Sequence, residues 1–179
     1  MFTFSNPHIS IATHADINAI TGLLNSAYRG ESSKQGWTTE ANLIGGNIRT
    51  NEETLQQVMD SAGSVILKYL DTDQHIVGCV NLQQKKYKIY LGMFSVSPQL
   101  QGFGIGKQLL KAAEEYAVHL NAPAIFMQVI TQRTELIDWY KRYGYQETGE
   151  RIPFNEDGLT GKHLQPLEFM VLEKIMQLA

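Results

Sequence analysis

The run from Leu91 to Leu110 constrains the fold more than any other stretch of the chain. A strand-like segment ends in Ser95-Val96-Ser97-Pro98, and Pro98 stops it because proline has no N–H to give to a ladder. Gln101, Gly102, Gly104 and Gly106 follow. The apolar positions Ile105, Leu109, Ala112, Tyr116 and Leu120 then repeat at helical spacing, with Lys107, Lys111, Glu114 and Glu115 on the polar side. A strand that turns through glycines into a helix gathers backbone N–H groups at one point, since glycine has no Cβ to hold them apart. The helix N-terminus adds unpaired donors and partial positive charge, and Lys107 adds a full charge. The turn is therefore expected to hold an anionic group.

Two common phosphate loops do not fit. G-x-x-x-x-G-K-[ST], counted back from Gly106-Lys107, finds Gln101 in place of the first glycine and Gln108 in place of the hydroxyl residue. G-x-G-x-x-G finds Lys107 or Leu109 where its third glycine belongs. The pattern that does fit is V-x-P followed by Q/R-x-x-G-x-G/A, present as Val96-Ser97-Pro98-Gln99-Leu100-Gln101-Gly102-Phe103-Gly104-Ile105-Gly106. It resembles the acetyl-CoA motif of the GNAT N-acetyltransferase superfamily.

The resemblance implies acetyl-CoA as acyl donor and a set of contacts to it. The strand before the turn splays from its neighbour, and backbone groups of Phe94, Ser95 and Val96 pair with the pantetheine arm. The segment Gln101, Gly102, Phe103, Gly104, Ile105, Gly106 and Lys107 takes the pyrophosphate. A second segment, Trp139-Tyr140-Lys141-Arg142-Tyr143-Gly144-Tyr145, looks like the family's tyrosine helix with its following glycine and aromatic. Tyr140 then maps to the tyrosine beside the thioester sulfur, and a phenol can protonate a departing thiolate. Read without the family, its spacing from Leu136 and Ile137 also suits a core position. Arg133 stands where many members carry an asparagine that touches the cofactor arm. It is read as a contact to an anionic group of cofactor or substrate, or as a solvated helix start. The segments Ser26 to Glu31, Gly36 to Glu40 and Arg133 to Tyr140 look like a bacterial-type subgroup of the family.

An amine acceptor is protonated near neutral pH, so a base is needed. Glu40 is the candidate, against the alternatives of a first-turn helix acid and of a water chain that carries the proton. Tyr28, Arg29 and Trp37 are the candidate acceptor contacts, with Trp37 otherwise an anchor ahead of a helix cap. Cys79 lies in the apolar run Ile76-Val77-Gly78-Cys79-Val80 and reads as a buried, inert thiol. His8, His14, His75, His119 and His163 form no metal-ligand spacing, so no metal is expected.

The remaining pattern alternates strands and helices from end to end, over 179 residues that are 43% apolar and 18% charged, enough for one packed core. Strands are expected at Ile9 to Ala12, Ser64 to Leu70, Ile76 to Gln83, Tyr87 to Val96, Ala124 to Ile130, Tyr145 to Gly149 and Leu167 to Glu173. Helices are expected from Thr13 onward, from Thr38 or Thr39 to Gly45-Gly46, after Asn51, over Gly104 to Leu120 and over Thr134 to Tyr143. With the resemblance, this implies an α/β (α+β) domain across residues 1–179. Its sheet would be mixed, mostly antiparallel, of about six to seven strands, with helices on both faces and a splayed central strand pair.

A net charge of −3 argues against a nucleic-acid surface. No apolar run reaches a membrane-spanning length, no signal peptide is visible and the single cysteine forms no intrachain disulfide; a cytoplasmic monomer or homodimer is expected. The leading functional expectation is acetyl transfer to a small-molecule or peptide amine by direct attack in a ternary complex. The alternatives are a non-catalytic acyl-CoA binding module on the same fold and a phosphate-binding protein of another class.

Overall fold

A computed structural model of the chain describes residues 1–29, 33–36, 39–46, 48–155 and 161–178. Seven strands form one sheet in the order β1-β2-β3-β4-β5-β7-β6. They are β1 (Ile9–Ile11), β2 (Ser64–Leu70), β3 (Ile76–Lys85), β4 (Lys88–Val96), β5 (Ala124–Ile130), β6 (Gln146–Pro153) and β7 (Glu168–Ile175). All neighbours are antiparallel except β4 and β5, which run parallel. Four α-helices accompany them among the described residues: α1 (Ile17–Tyr28), α2 (Glu52–Asp60), α3 (Ile105–His119) and α4 (Thr134–Arg142).

The helices divide the core. Ile20, Leu24 and Ala27 of α1 and Leu55 of α2 pack with Ile66 and Cys79 in one cluster. Leu109, Leu110 and Ala113 of α3 and Leu136, Ile137 and Tyr140 of α4 pack with Val80, Leu82, Ile125 and Leu172 in the other. Burying a leucine side chain stabilises the fold by about 1.5–3 kcal/mol, so the helical stripes legible in the sequence also seat the helices. Gly78 lets α3 come close: a Cβ there would lie 2.8 Å from Leu109 Cδ1.

Local capping signals act at two helix starts. Thr13 and Asp16 are paired, the Asp16 carboxylate accepting from the Thr13 amide at 2.8 Å, although one 3-10 turn (His14–Asp16) precedes α1. Asn51 caps α2 by accepting from the Thr54 amide at 2.8 Å.

One expected helix does not form among the described residues. Thr38 lies outside the described residues, and residues 39–46 form turns, with Ile44 bridged to His163. Two turn hydrogen bonds close there on the Glu40 carbonyl, from the Leu43 amide at 2.9 Å and the Ile44 amide at 2.8 Å. A nucleus that short ahead of Gly45-Gly46 has nothing to propagate into. The β6 strand is also longer than expected. It runs on through Gly149, at φ +90°, with a register shift between Glu147 and Arg151.

The centre of the sheet opens. β4 and β5 pair only at Ile89↔Ile125 and Tyr90↔Phe126, whereas β5 and β7 stay paired from Ala124↔Ile175 to Ile130↔Phe169. The divergence coincides with a bulge in β4. Asn81 of β3 faces Gly92, yet Cys79 faces Ser95, so β4 carries an extra residue. Met93 takes it up at φ +50°; Gly92 itself stays on the ladder. The bulge carbonyls are occupied from the side: Cys79 Sγ contacts the Met93 carbonyl at 3.5 Å, and the Tyr28 hydroxyl donates to the Phe94 carbonyl.

Candidate active site

Gly102 and Gly104 have φ of +92° and +85°, a conformation glycine reaches without strain, and they turn the chain from the end of β4 into α3. The Gln101 side chain donates to the Val96 carbonyl at 2.9 Å and so fixes the turn to the strand end. Phe103 is 74% exposed and Ile105 is buried in the core, so both offer the turn only backbone atoms. Phe94, Val96, Gln101, Gly102, Gly104, Gly106 and Lys107 line a cleft of about 360 Å³, closed on the far side by Trp139, Arg142 and Tyr143 of the α4 end. Ser95 is fully buried, paired with Cys79 across the ladder, with its hydroxyl 3.8 Å from Cys79 Sγ, and it lines neither cavity.

A second cavity of about 250 Å³ fills the opening between β4 and β5. Residues Tyr90 to Phe94 form one wall and Met127 to Ile130 the other, with Tyr140 and Arg133 from the α4 side and Phe154 and Phe169 opposite. Phe94 borders both cavities, and its ring lies 6.2 Å from that of Tyr140 and 5.9 Å from that of Trp139. Tyr140 is 4% exposed, and among the described residues its hydroxyl has no hydrogen-bond partner. Burial pushes its phenol well above the ordinary range, so it stays protonated.

Glu40 lies deep in this cavity and binds two guanidinium groups. One oxygen pairs with Arg29 and the other with Arg133 at 3.3 Å. Arg29 is almost fully buried, and this carboxylate offsets part of the cost of placing its charge there. The Tyr28 ring stands beside the cluster, with Arg133 5.7 Å and Arg49 5.6 Å from its centroid. Burial raises the Tyr28 phenol to about 12.

Sequence reasoning thus named residues that the fold does bring together: Tyr28, Arg29, Glu40, Arg133 and Tyr140 in one cavity, and the glycine turn with Phe94 and Val96 in the other. Arg133 borders the first cavity and not the glycine-turn cleft. Trp37 lies outside the described residues. Arg49, Trp139 and Arg142 were missed. Trp139 and Arg142 sit three apart on α4 and share a face, a signal that periodicity carries. Arg49 stands in irregular chain just before a helix cap, where no period marks it.

Cys79 is fully buried, and burial raises its thiol to about 12, as its apolar run suggests. The turn between β2 and β3 gathers Asp71, Asp73 and His75, a cluster that histidine spacing does not reveal. Asp71 Oδ1 accepts from the amides of Asp73 and His75, each at 2.9 Å, so this group serves the turn itself. Among the described residues no helix is long and apolar enough to cross a membrane.

The acetyltransferase (GNAT) domain model matches residues 40–165, from the buried glutamate to the loop before β7. The chain belongs to the GNAT acetyltransferase family. The family fold is the one described, a seven-stranded, mostly antiparallel sheet that opens between β4 and β5. Among curated proteins, the spermine/spermidine N(1)-acetyltransferase of Bacillus subtilis (strain 168) is 30% identical over 81 residues. That match takes in 45% of this chain and 53% of the relative, so the chain spans about half the length of the curated relative it matches. Among solved structures, the ribosomal-protein-S18-alanine N-acetyltransferase of Escherichia coli superposes with a TM-score of 0.70 at 13% identity, covering 96% of this chain and 94% of that one. A protein of Bacillus anthracis str. Ames solved in complex with acetyl coenzyme A superposes with a TM-score of 0.56 at 17% identity, over 68% of each chain.

Proposed function

We propose that residues 1–179 form one acyl-CoA N-acyltransferase domain that moves the acetyl group of acetyl-CoA to a primary amine by direct attack in a ternary complex. One observation carries this reading: the glycine-turn cleft and the β4–β5 cavity meet at Phe94, with the Tyr140 phenol beside the junction. A thioester whose phosphates rest on the turn has its reactive end directed toward Tyr140. An acceptor in the second cavity approaches from the other side. The chain's family membership supports acetyl-CoA as the donor.

In this reading the backbone amides of Gln101, Gly102, Phe103, Gly104, Ile105, Gly106 and Lys107 hold the pyrophosphate, and Lys107 and Arg142 add charge. Backbone groups of Phe94, Ser95 and Val96 pair with the pantetheine arm. The neutral amine attacks the thioester carbonyl, an amide of the β4 end steadies the oxyanion, and the carbon–sulfur bond breaks. The thiolate takes the Tyr140 proton, and the new ammonium gives its extra proton to water. Tyr140 is kept protonated for this step by its burial.

Two assignments shift with the geometry. Both Glu40 oxygens are engaged by arginines, so it acts as a positioning residue for Arg29 and Arg133 and not as the base. Arg133 serves the acceptor cavity and not the cofactor arm. The amine loses its proton to solvent, helped by the guanidinium charges around it, which disfavour an ammonium.

The test is calorimetric titration with acetyl-CoA, ATP and NAD as separate ligands, followed by thiol release with an amine panel. Selective acetyl-CoA binding with amine-dependent thiol release is expected. Binding without release would make the chain an acyl-CoA binding module. Absence of acetyl-CoA binding would overturn the reading.

A further inference from the structure

We infer that the acceptor amine carries a carboxylate, which the arginines of the β4–β5 cavity recognise. This rests on the N-acetyl transfer reading and names the substrate class for it. Among the described residues the ionisable lining of the cavity is Arg29, Arg49 and Arg133 against the single carboxylate of Glu40, with the tyrosines neutral. Glu40 is paired through one oxygen with Arg29 and through the other with Arg133, while Arg49 has no carboxylate partner among the described residues. Among the described residues the lining therefore carries more guanidinium groups than carboxylates.

Arg49 is placed there by construction. The Asn25 side chain of α1 accepts from the backbone amides of Arg49 at 2.5 Å and Thr50 at 3.0 Å, and donates to the Thr50 carbonyl at 3.1 Å. That clamp sets the Arg49 guanidinium over the Tyr28 ring, which Arg133 also approaches. Guanidinium groups present paired N–H donors that match the two oxygens of a carboxylate, and an aromatic face keeps their planes oriented. The same charges favour the unprotonated, nucleophilic form of the acceptor nitrogen. A polyamine meets the opposite situation, since each further ammonium adds repulsion from the same arginines. The acceptor class thus departs from the polyamines named for the Bacillus subtilis relative.

The experiment compares amino acids with their own carboxamides, and with spermidine, by thiol release in the presence of acetyl-CoA. Rates are taken per unprotonated amine. Amino acid and carboxamide share shape and differ in the charge. The carboxylate member is expected to have at least about tenfold higher kcat/KM, the size of one charge-assisted hydrogen bond, and spermidine to be the poorest acceptor. Arg49→Met should erase that preference, and a parallel acetyl-CoA titration of the variant reports whether its fold stands. Equal rates for the pairs, a preference for spermidine, or no carboxylate amine used or bound while acetyl-CoA binds would each overturn this inference and leave the donor site intact. Failure to bind acetyl-CoA would instead sink the transfer reading beneath it.

Discussion

The hydroxyl of Tyr28 donates a hydrogen bond to the backbone carbonyl of Phe94, tying the last turn of α1 to the bulge at which β4 leaves β5. The bulge frees Phe94 from the ladder, and a buried carbonyl without a partner is costly, so the tyrosine both satisfies the group and holds the opening in shape.

Tyr28→Phe removes that donor and keeps the ring. We expect a loss of about 1–2 kcal/mol in unfolding free energy, the cost of an unsatisfied buried carbonyl. Chemical denaturation measures this. An unchanged midpoint would mean that water replaces the hydroxyl and that the latch is dispensable. Thiol release should also slow, because Phe94 borders both cavities.

Tyr140→Phe separates chemistry from binding. A general acid contributes about 10²-fold or more, so kcat should fall by that order while acetyl-CoA affinity stays close to that of the parent. Burial keeps the phenol protonated, so its deprotonation should cause no fall in kcat on the alkaline side below about pH 10. Unchanged kcat in the variant would remove Tyr140 from the reaction.

Glu40→Gln distinguishes a positioning residue from a base. Removing the carboxylate leaves Arg29 and Arg133 buried without it, at a cost of about 3–5 kcal/mol by analogy with other broken buried pairs. The residual activity should keep its acidic limb at the same pH. A displaced limb with stability intact would restore Glu40 as the base.

Alkaline pH should unfold the protein in a defined window. Burial raises the Tyr28 phenol from 10.0 to about 12 and the Cys79 thiol from 9.0 to about 12. Above pH 9 the unfolded chain loses these protons first, so the native state holds more of them and stability declines as pH rises. The contribution is complete below pH 9 and is lost toward pH 12, at up to about 1.4 kcal/mol per group per pH unit. Thermal midpoints taken between about pH 8 and pH 11 should fall, and Cys79→Ala should flatten the first part of the decline. A midpoint constant over that range would contradict the burial argument.

The glycine turn and its helix were legible because their determinants are local. Gly102, Gly104 and Gly106 set backbone conformation within one turn, and the Leu109 and Ala112 stripe follows from helical period. β2 and β5 were legible to the residue for the same reason, each being a short apolar run between turn signals. The expected helix ending at Gly45-Gly46 failed because its turns answer to a distant partner, the bridge from Ile44 to His163, which no local propensity encodes.

The sequence by itself determined the glycine-turned strand–turn–helix and the mixed α/β architecture, written in short-range periodicity and glycine placement, while the tyrosine of α4 stood out through its resemblance to the family motif. Only the tertiary structure decided that Glu40 is held between Arg29 and Arg133, that Tyr28 closes the Phe94 carbonyl, and that Arg49 reaches the same cavity. Charges and hydrogen bonds of that kind act through space between residues up to 93 positions apart, and packing brings them together.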